Sequence, residues 1–108
     1  MIKIIIHGCN GRMGQAIASI AAMESDTQIV AGIDKFPDVK ENSFPVYKSL
    51  EECNESADII IDFSVPAALP DLLDQAVKRN IPIIIATTGF LAPDLDLITQ
   101  ASHHIPIF

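Results

Sequence analysis

Ile2-Lys3-Ile4-Ile5-Ile6-His7 runs directly into Gly8-Cys9-Asn10-Gly11-Arg12-Met13-Gly14, and this junction decides the fold. The first stretch is apolar almost throughout instead of alternating with polar residues, which marks a strand buried on both faces. A helix follows from about Arg12 to Met23, carrying Met13, Ile17, Ile20 and Ala21 on one face at i, i+4, i+7, i+8 spacing. A glycine turn between strand and helix lets the backbone approach a pyrophosphate, whose charge meets the free amides and positive dipole end of the helix. In that reading Gly8 makes the sharp turn, Gly11 lets the phosphate approach and Gly14 lets helix and strand pack closely.

The spacing is G-x-x-G-x-x-G, not the commoner G-x-G-x-x-G, and glycines also gather at turns for steric reasons. A second residue gives the turn its meaning. Asp34 closes the next apolar run, 20 residues beyond Gly14, where a carboxylate accepts hydrogen bonds from the adenosine ribose hydroxyls. The bland alternative is a turn-initiating aspartate. Lys35 follows at once. A carboxylate there repels a 2′-phosphate while an ammonium attracts it, so the pair is expected to favour NADH with measurable use of NADPH.

Working outward, five apolar runs recur: Ile2 to His7, Ile29 to Ile33, Ile59 to Phe63, Ile81 to Ala86 and Ile105 to Phe108. Helical spacing fills most of the intervals, and this alternation predicts an α/β fold, a Rossmann-type doubly wound parallel sheet with helices on both faces and right-handed crossovers. The expected strand order is 3-2-1-4-5. Ser49-Leu50-Glu51-Glu52 has the form of a capping box opening one helical turn. A further helix follows Ser64-Val65-Pro66, with Leu69, Leu72, Leu73, Ala76 and Val77 at helical spacing, Pro70 in its first turn and Lys78-Arg79-Asn80 at its end. The last helix, Pro93 to about Ser102, presents Leu95, Leu97 and Ile98. Phe36 to Phe44 shows neither period and is expected to be a surface loop over the cofactor edge.

With 108 residues the chain makes one domain, and 49% apolar against 19% charged residues is the composition of a folded globular protein. No apolar run approaches the length of about 18 residues that spans a bilayer, and no basic segment leads an apolar one at the N-terminus. A cytoplasmic, unprocessed chain is expected. The net charge of −7, without any Lys/Arg cluster, argues against nucleic acid. It also requires that an anionic dinucleotide be held by local donors, because the long-range field opposes it. Cys9 and Cys53 fit neither a metal clamp nor a redox pair and are expected to be free thiols. No metal site is expected.

The run Gly8 to Gly14, ending Gly-Arg-Met-Gly, closely resembles the glycine motif of the dihydrodipicolinate reductases. Asp62-Phe63-Ser64-Val65-Pro66 resembles that family's Asp-Phe-Ser/Thr-x-Pro, and Ala86-Thr87-Thr88-Gly89-Phe90 its Gly-Thr-Thr-Gly-Phe. The motifs stand in family order across the whole chain. The resemblance implies an NADH- or NADPH-dependent reductase of the diaminopimelate route to lysine, acting on the cyclic product of dihydrodipicolinate synthase. It also implies that Gly8, Cys9, Asn10, Gly11, Arg12, Met13 and Gly14 surround the pyrophosphate, with Asp34 and Lys35 at the adenosine ribose. Phe63 and Ser64 would then flank the nicotinamide ribose, and Ala86, Thr87 and Thr88 would face the nicotinamide. Ala86 stands where the family has glycine, a departure at the place where the nicotinamide would be met.

In that family a substrate-binding, tetramer-forming domain follows, carrying a His-His pair, a lysine and a Ser-Gly-Thr segment. Residues 1–108 are therefore expected to be the dinucleotide-binding part of a homotetrameric enzyme, binding cofactor but not catalysing alone, with no catalytic residue of their own and the small-molecule substrate held elsewhere. His103-His104 close the last helix and read as surface capping residues, not as that pair, and His7 reads as a strand-end residue. The alternatives are a free-standing NAD(H)-sensing module, which would not need the Phe63-Ser64 and Thr87-Thr88 motifs, and a binder of another adenosine ligand such as S-adenosylmethionine.

Overall fold

One parallel sheet organises the chain in the computed structural model, which describes all of residues 1–108. Its strands are β1 (Ile2–His7), β2 (Thr27–Ile33), β3 (Val46–Tyr47), β4 (Ile59–Asp62) and β5 (Ile83–Ile85), in the order β3-β2-β1-β4-β5. Helices α1 (Arg12–Ala22), α2 (Leu69–Arg79) and α3 (Ala92–Ala101) connect or follow them, with short 3-10 turns at Leu50–Glu52 and Pro66–Ala68. The 3-2-1-4-5 order is the expected one, but its third member is Val46–Tyr47, not one of the five apolar runs. Ile59–Asp62 pairs directly with β1 on the other side. The run at the C-terminus contributes only a bridge from Ile107 to Ile83 and is no strand, since Pro106 has no amide to donate to a ladder.

The register explains the core. Ile5 lies beside Ile60, and Ile60 beside Ile83, so these side chains stack on one face of the sheet. There Leu69, Leu72, Leu73 and Ala76 of α2 and Ala101 of α3 bury them. Burying an isoleucine or leucine side chain is worth about 1.5–3 kcal/mol, so this face carries most of the stability. The opposite face holds Ile4, Ile6, Ile59 and Ile61, and α1 covers only part of it, through Ile17 and Ala18. Gly14 and Ala21 are buried in α1, while Met13 and Ile20, at 53% and 58% exposure, do not dock as their spacing suggested. In α3, likewise, Leu95 and Leu97 stay exposed and Ile98 packs against the core.

Helix α2 ends as its sequence indicates. Asn80 takes the left-handed conformation at φ 54°, and its amide reaches the carbonyls of Ala76 and Val77. The capping box at Ser49 does not form: the Ser49 side chain caps nothing. Arg79 holds that segment instead, donating to the carbonyls of Leu50 at 3.0 Å, Cys53 at 3.1 Å and Glu55 at 2.5 Å.

Helix α1 meets the end of β1 closely enough that a Cβ on Gly14 would lie 2.8 Å from both the Cα and the carbonyl oxygen of Cys9. Those atoms are backbone and cannot yield cheaply. Gly14→Ala is expected to cost about 1–3 kcal/mol, lowering Tm by several degrees in a calorimetric melt; an unchanged melting curve would refute the close approach.

Candidate functional site

Four strands deliver loops to the carboxyl edge of the sheet, where ligands of open α/β sheets sit. A cleft of about 460 Å³ runs between them, lined among others by His7, Gly8, Gly11, Asp34, Lys35 and Ser64. A second cleft of similar volume lies between α1 and residues 41–44, away from these strand ends.

The glycine turn forms the cleft's inner wall. Gly8 sits at φ 84°, and a Cβ there would meet the Phe63 carbonyl oxygen at 2.6 Å, so both conformation and space demand glycine. Gly11 is the N-cap of α1 in extended conformation, and no side chain caps the helix or places an acid in its first turn. The first amide of this helix region with a backbone acceptor is that of Gln15, bonded to Gly11 at 3.0 Å, which leaves the amides of Arg12, Met13 and Gly14 without partners in the chain. A Cβ on Gly11 would find only the Gly8 oxygen, at 3.5 Å; the space above it is open. The side chains of Arg12 and Met13 are exposed beside it.

Cys9 faces the other way. Its side chain is buried against Gly32, where a Cβ would come within 2.5 Å of the sulfur. Burial, with the Asp34 charge nearby, pushes the thiol up to about 12, so it is a neutral packing group and not a nucleophile. Both cysteines are free thiols, as expected, and both are buried.

Asp34 lies at the cleft's outer end and clamps two loops, accepting from the Asn10 amide at 3.0 Å and the Phe36 amide at 2.9 Å. Asn10 continues the tie: its side-chain amide donates to the Phe36 carbonyl at 2.8 Å, and its oxygen accepts from Asn42 at 2.8 Å. Residues 36–44 are thus a loop, as expected, fastened to the glycine turn. Lys35 and Lys48 line the same end and make no ion pair; Lys35 rests over Phe36 at 6.0 Å from the ring centre.

At the inner end stands a polar group that sequence reasoning missed. Asp62, 1% exposed, accepts from His7 Nδ1 at 2.9 Å, the Ser64 amide at 3.1 Å, Ser64 Oγ at 2.5 Å and Thr87 Oγ1 at 2.9 Å. It closes β4 level with the point where His7 closes β1, since the two are register partners. The available signal was that both strands end in a polar residue after an unbroken apolar run. Burial alone would raise the Asp62 carboxyl, but the hydrogen bonds from His7, Ser64 and Thr87, with the attraction of His7, outweigh it and hold the carboxyl below its ordinary value.

The geometry therefore brings Gly8, Gly11, Asp34, Lys35, Phe63 and Ser64 to one cleft. Ala86, Thr87 and Thr88 follow β5 and are joined to it through Asp62, whose carbonyl accepts from the Ala86 amide at 2.9 Å, but they do not line the cleft itself. His103 and His104 are exposed in the turn after α3. No group of histidine, cysteine, aspartate and glutamate is arranged to hold a metal, and no helix is long and apolar enough to cross a membrane.

Comparison with known proteins agrees with this architecture. Residues 2–108 match the family model described as dihydrodipicolinate reductase, N-terminus. The 4-hydroxy-tetrahydrodipicolinate reductase of Caldanaerobacter subterraneus subsp. tengcongensis is 48% identical over 110 residues, and that of Clostridium botulinum is 44% identical over 108. Each alignment covers 100% of this chain but 42% of the relative, so the chain spans less than half the length of the curated relatives it matches. Among solved structures, dipicolinate-bound dihydrodipicolinate reductase from Paenisporosarcina sp. TG-14 superposes with a TM-score of 0.78 at 24% identity, over 94% of this chain and 43% of that one. A WlbA dehydrogenase in complex with NADH and UDP-GlcNAcA gives 0.80 at 16% identity, over 99% of this chain and 34% of that one. At these identities the structures establish the shared fold.

A carboxyl held below its ordinary value stabilises the fold above that ordinary value, and the contribution disappears as pH falls through the lowered one. Wild type is thus expected to lose stability as pH drops below about 4, the ordinary carboxylate range. Asp62→Asn should be less stable at neutral pH and show a shallower acid loss in denaturant titrations; parallel curves would exclude Asp62 as the source.

Proposed function

Since this chain belongs to the dihydrodipicolinate reductase family, we propose that residues 1–108 bind NADH or NADPH for a reductase that delivers hydride to a cyclic dihydrodipicolinate-type substrate. The observation that carries this reading is the uncapped start of α1, whose three unpartnered amides lie beside the open space over Gly11. Such a helix end attracts a diphosphate through both its donors and its dipole. The residues present fit that group: a Cβ at Gly11 would occupy the open space beside these amides, and nothing acidic in the first turn repels an anion.

Each residue then has a task. The amides of Arg12, Met13 and Gly14 donate to the diphosphate, and Gly8 keeps the turn out of its way. Asp34 commits one lone pair of each oxygen to Asn10 and Phe36, and a carboxylate oxygen has a second to offer a ribose hydroxyl. Lys35 supplies charge for a 2′-phosphate. Phe63 and Ser64 flank the nicotinamide ribose, and Ala86, Thr87 and Thr88 bound the nicotinamide side. When bound, the dihydronicotinamide supplies hydride, while the protein orients it and excludes water. Substrate binding, proton donation and tetramer formation belong, on this reading, to the part of the relatives' length that the chain does not span, and the protein works in the cytoplasm on a small molecule. An NAD(H)-sensing module would use the same cradle, and a binder of S-adenosylmethionine would use Asp34 without it.

Calorimetric titration with NADH, NADPH and S-adenosylmethionine tests the proposal, and the expected result is binding of the first two alone. Gly11→Ala sharpens it. Gly11 has an ordinary φ of −75° and room for a Cβ, so stability should stay within about 0.5 kcal/mol of wild type. NADH affinity should nevertheless fall about tenfold or more, because the added methyl holds the diphosphate away from the amides and weakens at least one hydrogen bond to it. Absence of NADH binding at millimolar concentration, or undiminished binding by the variant, would overturn the site. Lys35→Ala is expected to weaken NADPH about tenfold or more and NADH less than about twofold, as removal of one charge-assisted hydrogen bond to the 2′-phosphate requires.

A further inference from the structure

His7 has no task in the reading above, although its side chain is nine-tenths buried and borders the cleft. Its Nδ1 is bonded to Asp62 at 2.9 Å, and no other atom of the chain pairs with its Nε2. Yet no buried side-chain nitrogen or oxygen lacks a hydrogen-bond partner. Nε2 therefore keeps some access, and the space His7 borders is the cleft between Gly8, Phe63 and Ser64. A polar residue in the last position of an otherwise apolar strand, fixed on one side and open on the other, is built to meet something.

We propose that His7 is a cofactor-contacting residue whose Nε2 accepts a hydrogen bond from a sugar hydroxyl of the bound dinucleotide, with Asp62 as the positioning residue that sets its tautomer. The inference rests on the dinucleotide reading of the cleft. An ionised Asp62 only accepts hydrogen bonds, so the proton of the neutral imidazole sits on Nδ1 and Nε2 presents a lone pair. Phosphate oxygens carry no proton to give at neutral pH, whereas ribose hydroxyls do. Asp62 is itself locked by Ser64 and Thr87, from the loops after β4 and β5, so the ring is held from three strand ends. The other charged groups facing the cleft are Asp34, Lys35 and Lys48, at its outer end.

The test uses nitrogen-15 NMR of the histidine rings together with NADH titration of this chain. In the free protein His7 should show protonated Nδ1 and pyridine-type Nε2, and the Nε2 signal should move upfield on addition of NADH. His7→Asn keeps a donor where Nδ1 stands and removes Nε2; NADH affinity should fall about fivefold, the worth of one neutral hydrogen bond. His7→Gln, which reaches toward the Nε2 position, should recover part of it. An unmoved Nε2 signal during wild-type binding, or undiminished NADH affinity in His7→Asn, would overturn the proposal. Failure of wild type to bind NADH at all would overturn the dinucleotide reading and this inference with it.

Discussion

The chain must turn from β1 into α1 between Gly8 and Gly11 while passing under the carbonyl of Phe63, and the rest of the site depends on that passage. At φ 84°, with 2.6 Å from a would-be Cβ to the Phe63 oxygen, Gly8 satisfies it and no other residue does so without strain. Because the turn is so close, the first turn of α1 lies directly over the carboxyl edge of the sheet. Its unpartnered amides stand beside the open space at Gly11. The same closeness forces Cys9 inward onto Gly32 and leaves room at Gly11, so the cradle and the packing beneath it are consequences of one backbone path.

A buried carboxylate on a face otherwise filled with isoleucine is costly unless donors surround it. Asp62 has four, drawn from His7, Ser64 and Thr87. These come from the ends of three adjacent strands, β1, β4 and β5, or from the loops that follow them. Apolar packing aligns the strands but leaves the directions of their outgoing loops loosely specified. A fully satisfied polar cluster specifies them, since displacing any one loop would leave a buried charge short of a partner. Asp34 acts similarly at the outer end with the Asn10 and Phe36 amides.

What the sequence made legible was what depends on local pattern. Continuous apolar runs, the glycine junction and the Asp34 position placed β1, β2, β4 and α1, and through them the sheet and the cleft. Val46–Tyr47 escaped notice because two residues beside Pro45 carry no period, and their pairing with Gly32 and Ile33 is a tertiary fact. The capping box read at Ser49 does not form, and that segment is held by Arg79, a residue far along the chain whose guanidinium reaches three carbonyls there. Met13 and Ile20 had helical spacing yet remain exposed, because α1 lies on only part of its face of the sheet. The His7–Asp62 pair was hidden for another reason: the residues are 55 apart in sequence, and only the parallel register of β1 and β4 brings them level.

Charge imposes the remaining constraint. A protein of net charge −7 repels an anionic dinucleotide at long range, although at physiological ionic strength that repulsion fades beyond about 8 Å. Inside that distance only local groups count, and the cleft concentrates favourable ones: a helix end equivalent to about half a positive charge, with Lys35 and Lys48 unpaired at the outer rim. The acids nearby keep their charge but are turned toward donors, Asp62 toward His7, Ser64 and Thr87 and Asp34 toward two amides. Affinity in such a site comes from short-range hydrogen bonds formed after encounter rather than from steering. On the proposed reading, then, the positions of a few amides, more than the composition of the surface, decide what the cleft can hold.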